Sequence, residues 1–194
     1  MLKVICASLV LTSSLALAGP KVEFETSLGN FTVELNEEKA PISVENFVKY
    51  VKDGSYVGSQ FHRVIPGFMA QGGGFDEKMN RLPSYAPIKN EASNGLKNVT
   101  GSIAMARTQD PNSATRQFFI NLVDNEFLDY DLQPPGYAVF GQVTEGFDVI
   151  QQMASKPTKS QGYMRDIPVE PIVITKATTP INIPALCNAR GVFY

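Results

Sequence analysis

The chain has no tryptophan, one histidine and two cysteines among its 194 residues, and only 19% of it is charged. Each shortage removes a class of chemistry. One imidazole cannot build the His/Cys cluster of a zinc site. A triad hydrolase needs a base, an acid behind it and a nucleophile in a recognisable motif, and His62 has neither companion. With 17 basic residues against 19 acidic ones, a net charge of −2 and no Lys/Arg stripe, nucleic acid is a poor partner. No apolar run reaches the roughly 20 residues that a membrane-spanning helix needs. There is no internal repeat, linker or coiled-coil heptad. What remains is 43% apolar, a globular composition, and long enough for one domain with a sizeable core.

The N-terminus reads as a leader. Lys3 supplies a positive start, residues 4–15 form an apolar run broken only by Ser and Thr, and Ala16-Leu17-Ala18 is a small-x-small cleavage site. Residues 1–18 are therefore expected to be a secretory signal peptide, 19–177 the functional domain and 178–194 an irregular tail. Cleavage removes Lys3 and Cys6, moving the net charge to −3 and leaving Cys187 alone, so no intramolecular disulfide can form. The mature chain is expected to be a soluble monomer without membrane contact.

Strand patterns dominate the mature chain. Residues 22–28 and 31–35 alternate apolar and polar, and Gly29-Asn30 between them predicts a hairpin turn. Further strands are predicted over 60–65, 102–106, 117–122, 138–143 and 171–177. One helix is predicted to begin at an N-cap Ser43, with Ile42 stapled onto Phe47, and to carry Val44, Phe47, Val48 and Val51 as one stripe up to Gly54. A second is predicted over 145–155, with Phe147, Ile150 and Met153 or Ala154 on one face. Short strands plus two one-sided helices predict a mainly β fold, a closed antiparallel barrel with the helices covering its ends.

Two segments could carry chemistry. Arg63 stands in an apolar strand, on the face of Phe61 and Ile65 by strict alternation, with no acid nearby in sequence. A guanidinium there needs a distant carboxylate, as a buried structural ion pair, or a wet pocket. Gln117-Phe118-Phe119-Ile120-Asn121 requires both faces of one strand to be covered, which a barrel with a pocket on its outer wall provides. The Gln71–Gly74 run lacks the Lys-Ser/Thr of a phosphate cradle and reads as a tight turn. The sequons at Asn30 and Asn98 read as chance.

Taken together, Arg63, Phe68-Met69-x-Gln71-Gly-Gly, Gln117-Phe118-Phe119 and Phe140-Gly141, with the early Ala40-Pro41-x-Ser-Val-Glu-Asn-Phe47, resemble the cyclophilins. The Gln71–Gly74 run, Lys89-Asn90-Glu91-Ala92 and Ala104-Met105-Ala106-Arg107 look most like the exported cyclophilins of Gram-negative bacteria. The resemblance implies a closed eight-stranded antiparallel barrel capped by two α-helices, and a peptidyl-prolyl cis-trans isomerase acting on proline-containing segments of folding exported proteins, without metal, cofactor or covalent intermediate. It implies a periplasmic location, or secretion if the cell is not Gram-negative.

Carried over by residue, the resemblance makes Arg63 the catalytic arginine. Phe68, Met69, Phe119 and Leu128 become the proline pocket, and Gln71, Ala106, Arg107 and Gln117 contact the peptide. Phe127 and Tyr137 stand where well-known members carry Trp and His, so the indole N–H donor to cyclosporin is missing, and residues 130–136 lengthen the adjacent loop. A peptide-binding chaperone using the same groove without turnover is the alternative, and the retained Arg63 argues against it.

Overall fold

The structure, a computed structural model, describes residues 19–180. The expected leader and Cys187 lie outside the described residues.

The chain enters through a hairpin whose inward residues alternate strictly. Val22, Phe24 and Thr26 of β1 (Lys21–Thr26) and Phe31, Val33 and Leu35 of β2 (Gly29–Leu35) face the core. The turn is Ser27-Leu28 and not Gly29-Asn30, because Gly29 already pairs with Thr26. Glycine is needed at 29 for another reason. Its φ is +141°, and a Cβ would lie 2.9 Å from the Val149 Cγ2 of an overlying helix.

The remaining strands are β3 (Ser59–Ile65), β4 (Met69–Asp76), β5 (Ser102–Met105), β6 (Phe118–Asn121), β7 (Val139–Glu145), β8 (Thr158–Gln161), β9 (Met164–Pro168) and β10 (Ile174–Thr178). Eight of them form one antiparallel sheet in the order β10-β1-β2-β7-β5-β6-β4-β3. Its two edges meet through a Gln60–Val173 bridge and the Phe61 N–H donated to the Ile172 carbonyl at 2.9 Å. This is the eight-stranded barrel the resemblance implies, and its strand β4 is one the patterning did not predict. Strands β8 and β9 form a separate hairpin, absent from the sequence reading, which packs on β3.

The glycine run is not a turn. It lies inside β4, where the missing side chains let the strand pass close to the core aromatics: a Cβ on Gly73 would approach Tyr56 to 2.8 Å and Phe118 to 3.1 Å.

Two helices close the barrel: α1 (Pro41–Lys52) and α2 (Phe147–Ala154). Helix α1 starts two residues before the expected cap. Pro41 opens it, Ser43 is buried in its first turn, and Ile42 is exposed and not a staple. The orphan N–H groups are met by Glu91, whose carboxylate accepts from the Ile42 and Ser43 amides at 3.1 and 2.8 Å and from the Ser43 hydroxyl at 2.7 Å. Val44, Phe47 and Val51 of α1 and Ile150 and Met153 of α2 then enter the barrel core. There the Phe47 ring meets Phe24, Tyr56, Phe118 and Phe140 at centroid distances of 5.0–6.1 Å.

Candidate active site

Sheet register lays out the site on the outer wall. Directly opposite residues share a face. Across β3, β4, β6, β5 and β7 the register aligns Arg63 with Gln71, Gln71 with Phe119, Phe119 with Ala104, and Ala104 with Val139. With strands about 4.8 Å apart, Arg63 and Phe119 stand two strand spacings, roughly 10 Å, from each other.

The alternation of β3 breaks at His62. Phe61 pairs with Gly72 and Arg63 with Gln71, so two residues of β3 oppose one of β4. This bulge puts Phe61 in the barrel core and leaves Arg63 and Ile65 outside, whereas strict alternation placed all three on one face. Of the two environments open to Arg63, the structure shows the wet one. Its side chain is 43% exposed, and its nearest carboxylate is Asp166 of β9, with Nε and Oδ2 3.9 Å apart. That is too far for a hydrogen bond, and the guanidinium makes none among the described residues.

The other sequence-predicted residues gather beside it. Met69, Ala104, Phe119, Leu128 and Val139 form a second apolar cluster, separate from the barrel core, with Ile65, Phe68, Leu96, Ala106 and Tyr137 packed around it. Strand β6 thus serves two cores, Phe118 and Ile120 inward and Phe119 outward. The two glutamines are joined, Gln71 Nε2 donating to Gln117 Oε1 at 3.0 Å, and the Ala106 amide donates to the Gln117 carbonyl at 3.0 Å. Arg107 lays its guanidinium over the Tyr137 ring at 4.2 Å and donates from Nε to the Gly136 carbonyl, while Tyr137 meets Phe119 edge-on at 5.7 Å. Phe127 is 54% exposed at the mouth, its ring stacked on Phe68 at 5.7 Å.

Sequence reasoning missed what holds this rim. Phe127 and Leu128 sit on a single 3-10 turn (Glu126–Leu128), which has little rigidity of its own. A buried amide network fixes it. Asn125 Nδ2 donates to the Phe68 carbonyl at 2.9 Å and to Asn121 Oδ1 at 2.7 Å. Asn121 donates to Asn98 and Ser102, and Asn98 donates from both nitrogens to Asp129 Oδ1. Asn98 is therefore 1% exposed and closed to modification in the folded protein. Asn-rich sequence reads locally as turn, so only the fold reveals the network. Arg116 was also missed. It is buried beside the predicted Gln117 and donates to the Gly73 and Pro83 carbonyls, tying β4 to the loop that follows it.

The arrangement can bind a small apolar ring and donate hydrogen bonds from a cation at its edge. It supplies no base near neutrality: His62 is buried against Phe75, and burial, aided by the Arg63 and Arg81 charges, lowers its pKa to about 4. A concavity of about 840 Å³ lies over β2, β5 and β7, but its lining includes Glu34, Glu37 and Glu38 and neither Arg63 nor Phe119.

Residues 21–179 match the family described as cyclophilin type peptidyl-prolyl cis-trans isomerase/CLD. A peptidyl-prolyl cis-trans isomerase of Acinetobacter baylyi is 53% identical over 165 residues, covering 85% of this chain and 88% of that protein. Peptidyl-prolyl cis-trans isomerase B of Escherichia coli is 48% identical, covering 81% of this chain and 98% of its own length. Among solved structures, a cyclophilin type isomerase of Cryptosporidium parvum superposes with a TM-score of 0.69 at 24% identity, covering 82% of this chain and 96% of its own, a likeness of fold.

Proposed function

The chain belongs to the cyclophilin-type peptidyl-prolyl cis-trans isomerases, and on that premise we propose that it speeds X–Pro rotation in exported proteins as they fold, with Arg63 as its catalytic donor. The observation that carries the reading is Arg63 itself, a half-exposed guanidinium without a hydrogen bond among the described residues, on the same outer face as the apolar cluster around Phe119.

Amide resonance sets a rotation barrier of about 18–20 kcal/mol, and uncatalysed exchange takes on the order of tens to hundreds of seconds. No bond breaks, so the enzyme has only to bind the twisted amide better than either planar form. As the amide twists, the prolyl nitrogen regains its lone pair and becomes an acceptor. Arg63 donates to that nitrogen or holds the prolyl carbonyl. Phe68, Met69, Phe119 and Leu128 grip the ring, and Gln71, Ala106, Arg107 and Gln117 hold the flanking backbone. A 10⁴-fold acceleration asks about 5.5 kcal/mol of these contacts, within reach of one charge-assisted hydrogen bond and a desolvated ring. Exchange measured on a short Xaa-Pro peptide tests the reading, and a protein that binds the peptide without turning it over would leave only the chaperone alternative.

Two expected results follow from the proposed site and location. Phe127 offers a ring but no N–H where cyclosporin meets an indole in the resembled members, and the missing bond costs about 1–3 kcal/mol, or roughly 5- to 150-fold in affinity. Wild type is expected to be active but poorly inhibited, and Phe127→Trp to recover much of the affinity at nearly unchanged rate. Tight inhibition of the wild type in the same titration would remove the indole argument.

For location, residues 1–18 are proposed to direct export to the periplasm, or secretion in another kind of cell, and to be cut off after Ala18. Mass spectrometry of the soluble protein from its native cell should find Gly19 at the N-terminus. An intact Met1 would speak against export.

A further inference from the structure

The β8–β9 hairpin has little reason to be shaped as it is. Strand β8 is exposed throughout, and the Tyr163 near the tip is 97% exposed. Only the end of β9 is anchored, by the buried Ile167 and Pro168. Next to that anchor Asp166 has a φ of +61°, in the left-handed region that side chains other than Gly, Asn and Asp rarely adopt. Asp is among the few residues that enter this region at little cost, so the backbone here aims the side chain without strain. The side chain that this conformation presents is the carboxylate facing Arg63, Nε to Oδ2 3.9 Å, with both groups more than a third exposed. Exposed pairs at such a distance contribute little to stability. The pair therefore matters for where the guanidinium stands.

We propose that Asp166 is a positioning residue for Arg63: its carboxylate draws the Nε edge of the guanidinium toward β9 and leaves the terminal nitrogens free for the twisting amide. This rests on the reading of Arg63 as the catalytic donor. An unanchored arginine explores many rotamers, and every misplaced one subtracts from the fraction ready to donate. A carboxylate at the Nε edge narrows that search without occupying the terminal donors. It does so at long range, so the guanidinium keeps the freedom to follow the moving nitrogen.

The test is a double-mutant cycle on a short Xaa-Pro peptide, with wild type, Asp166→Asn, Arg63→Ala and the double variant. Asparagine tolerates the left-handed conformation and removes only the charge, so folding is preserved, and a thermal melt checks it. Asp166→Asn is expected to lower kcat about tenfold with KM within about twofold in the wild-type background, and to change nothing when Arg63 is already alanine. An unchanged kcat, or the same loss in both backgrounds, overturns the positioning role while leaving Arg63 in place. Full activity of Arg63→Ala alone overturns the catalytic reading, and this one with it.

Discussion

Arg63→Ala is expected to lower kcat/KM on a short prolyl peptide by about two orders of magnitude or more, about 2.7 kcal/mol of transition-state stabilisation, with almost no change in melting temperature. The two halves of that expectation come from different observations. The loss of activity follows from the site: Arg63 stands at the β3 edge of the outer apolar cluster without a hydrogen bond among the described residues, whereas Arg107, the other guanidinium beside that cluster, is held over the Tyr137 ring and on the Gly136 carbonyl. The unchanged melt follows from exposure. A buried structural pair would lose about 3–5 kcal/mol when halved. Arg63 is 43% exposed, its partner 39%, and pairs of this kind are worth about 0–1 kcal/mol. An exchange assay and a thermal melt on one sample separate the readings. A large fall in melting temperature with activity kept in the folded fraction would return Arg63 to a structural role.

The period-two pattern made most of the barrel legible, because each inward residue of β1, β2, β6 and β7 meets a single continuous core. It failed where the chain departs from regular pairing. The bulge at His62 reversed the predicted relation of Phe61 to Arg63, since one extra residue flips every side chain beyond it. The glycines of β4 read as a turn because the reason for them, the rings of Tyr56, Phe61 and Phe118 against the strand, lies far away in sequence. Ser43 read as a cap because the group that caps α1, Glu91, is 48 residues away. The β8–β9 hairpin was invisible because neither strand has an apolar face to alternate.

The proposed pocket residues come from resemblance more than from physics. Phe119 could be argued from the doubly buried strand, but Leu128 and Phe127 lie on a turn whose position depends on the Asn98–Asn121–Asn125 network. Asp166 had no signal at all. Its significance is a distance across the β3–β9 contact and a backbone angle, neither of which the sequence displays.

The same bulge that turns Arg63 outward buries His62, and from this a loss of stability in mild acid is expected. His62 is 3% exposed, and its Nδ1 has no hydrogen-bond partner among the described residues. Burial in the first place, then the Arg63 and Arg81 charges, hold its pKa at about 4 against 6.5 for a free imidazole. Between those values the unfolded chain takes up a proton that the folded one refuses. Stability is therefore complete above about pH 6.5, falls by about 1.4 kcal/mol per unit below it, and has lost about 3 kcal/mol by pH 4. Because His62 is the sole histidine, few other groups titrate between pH 7.5 and 5, where the ordinary carboxylates stay ionised. Urea unfolding is expected to show wild type about 2 kcal/mol less stable at pH 5 than at pH 7.5. His62→Phe, which removes the titrating group and the unpartnered nitrogen beside Phe75, should be nearly level across the same range. A wild type whose stability does not change over this range would mean that the imidazole accepts its proton in the folded state, and hence that β3 opens at the bulge to let water reach it.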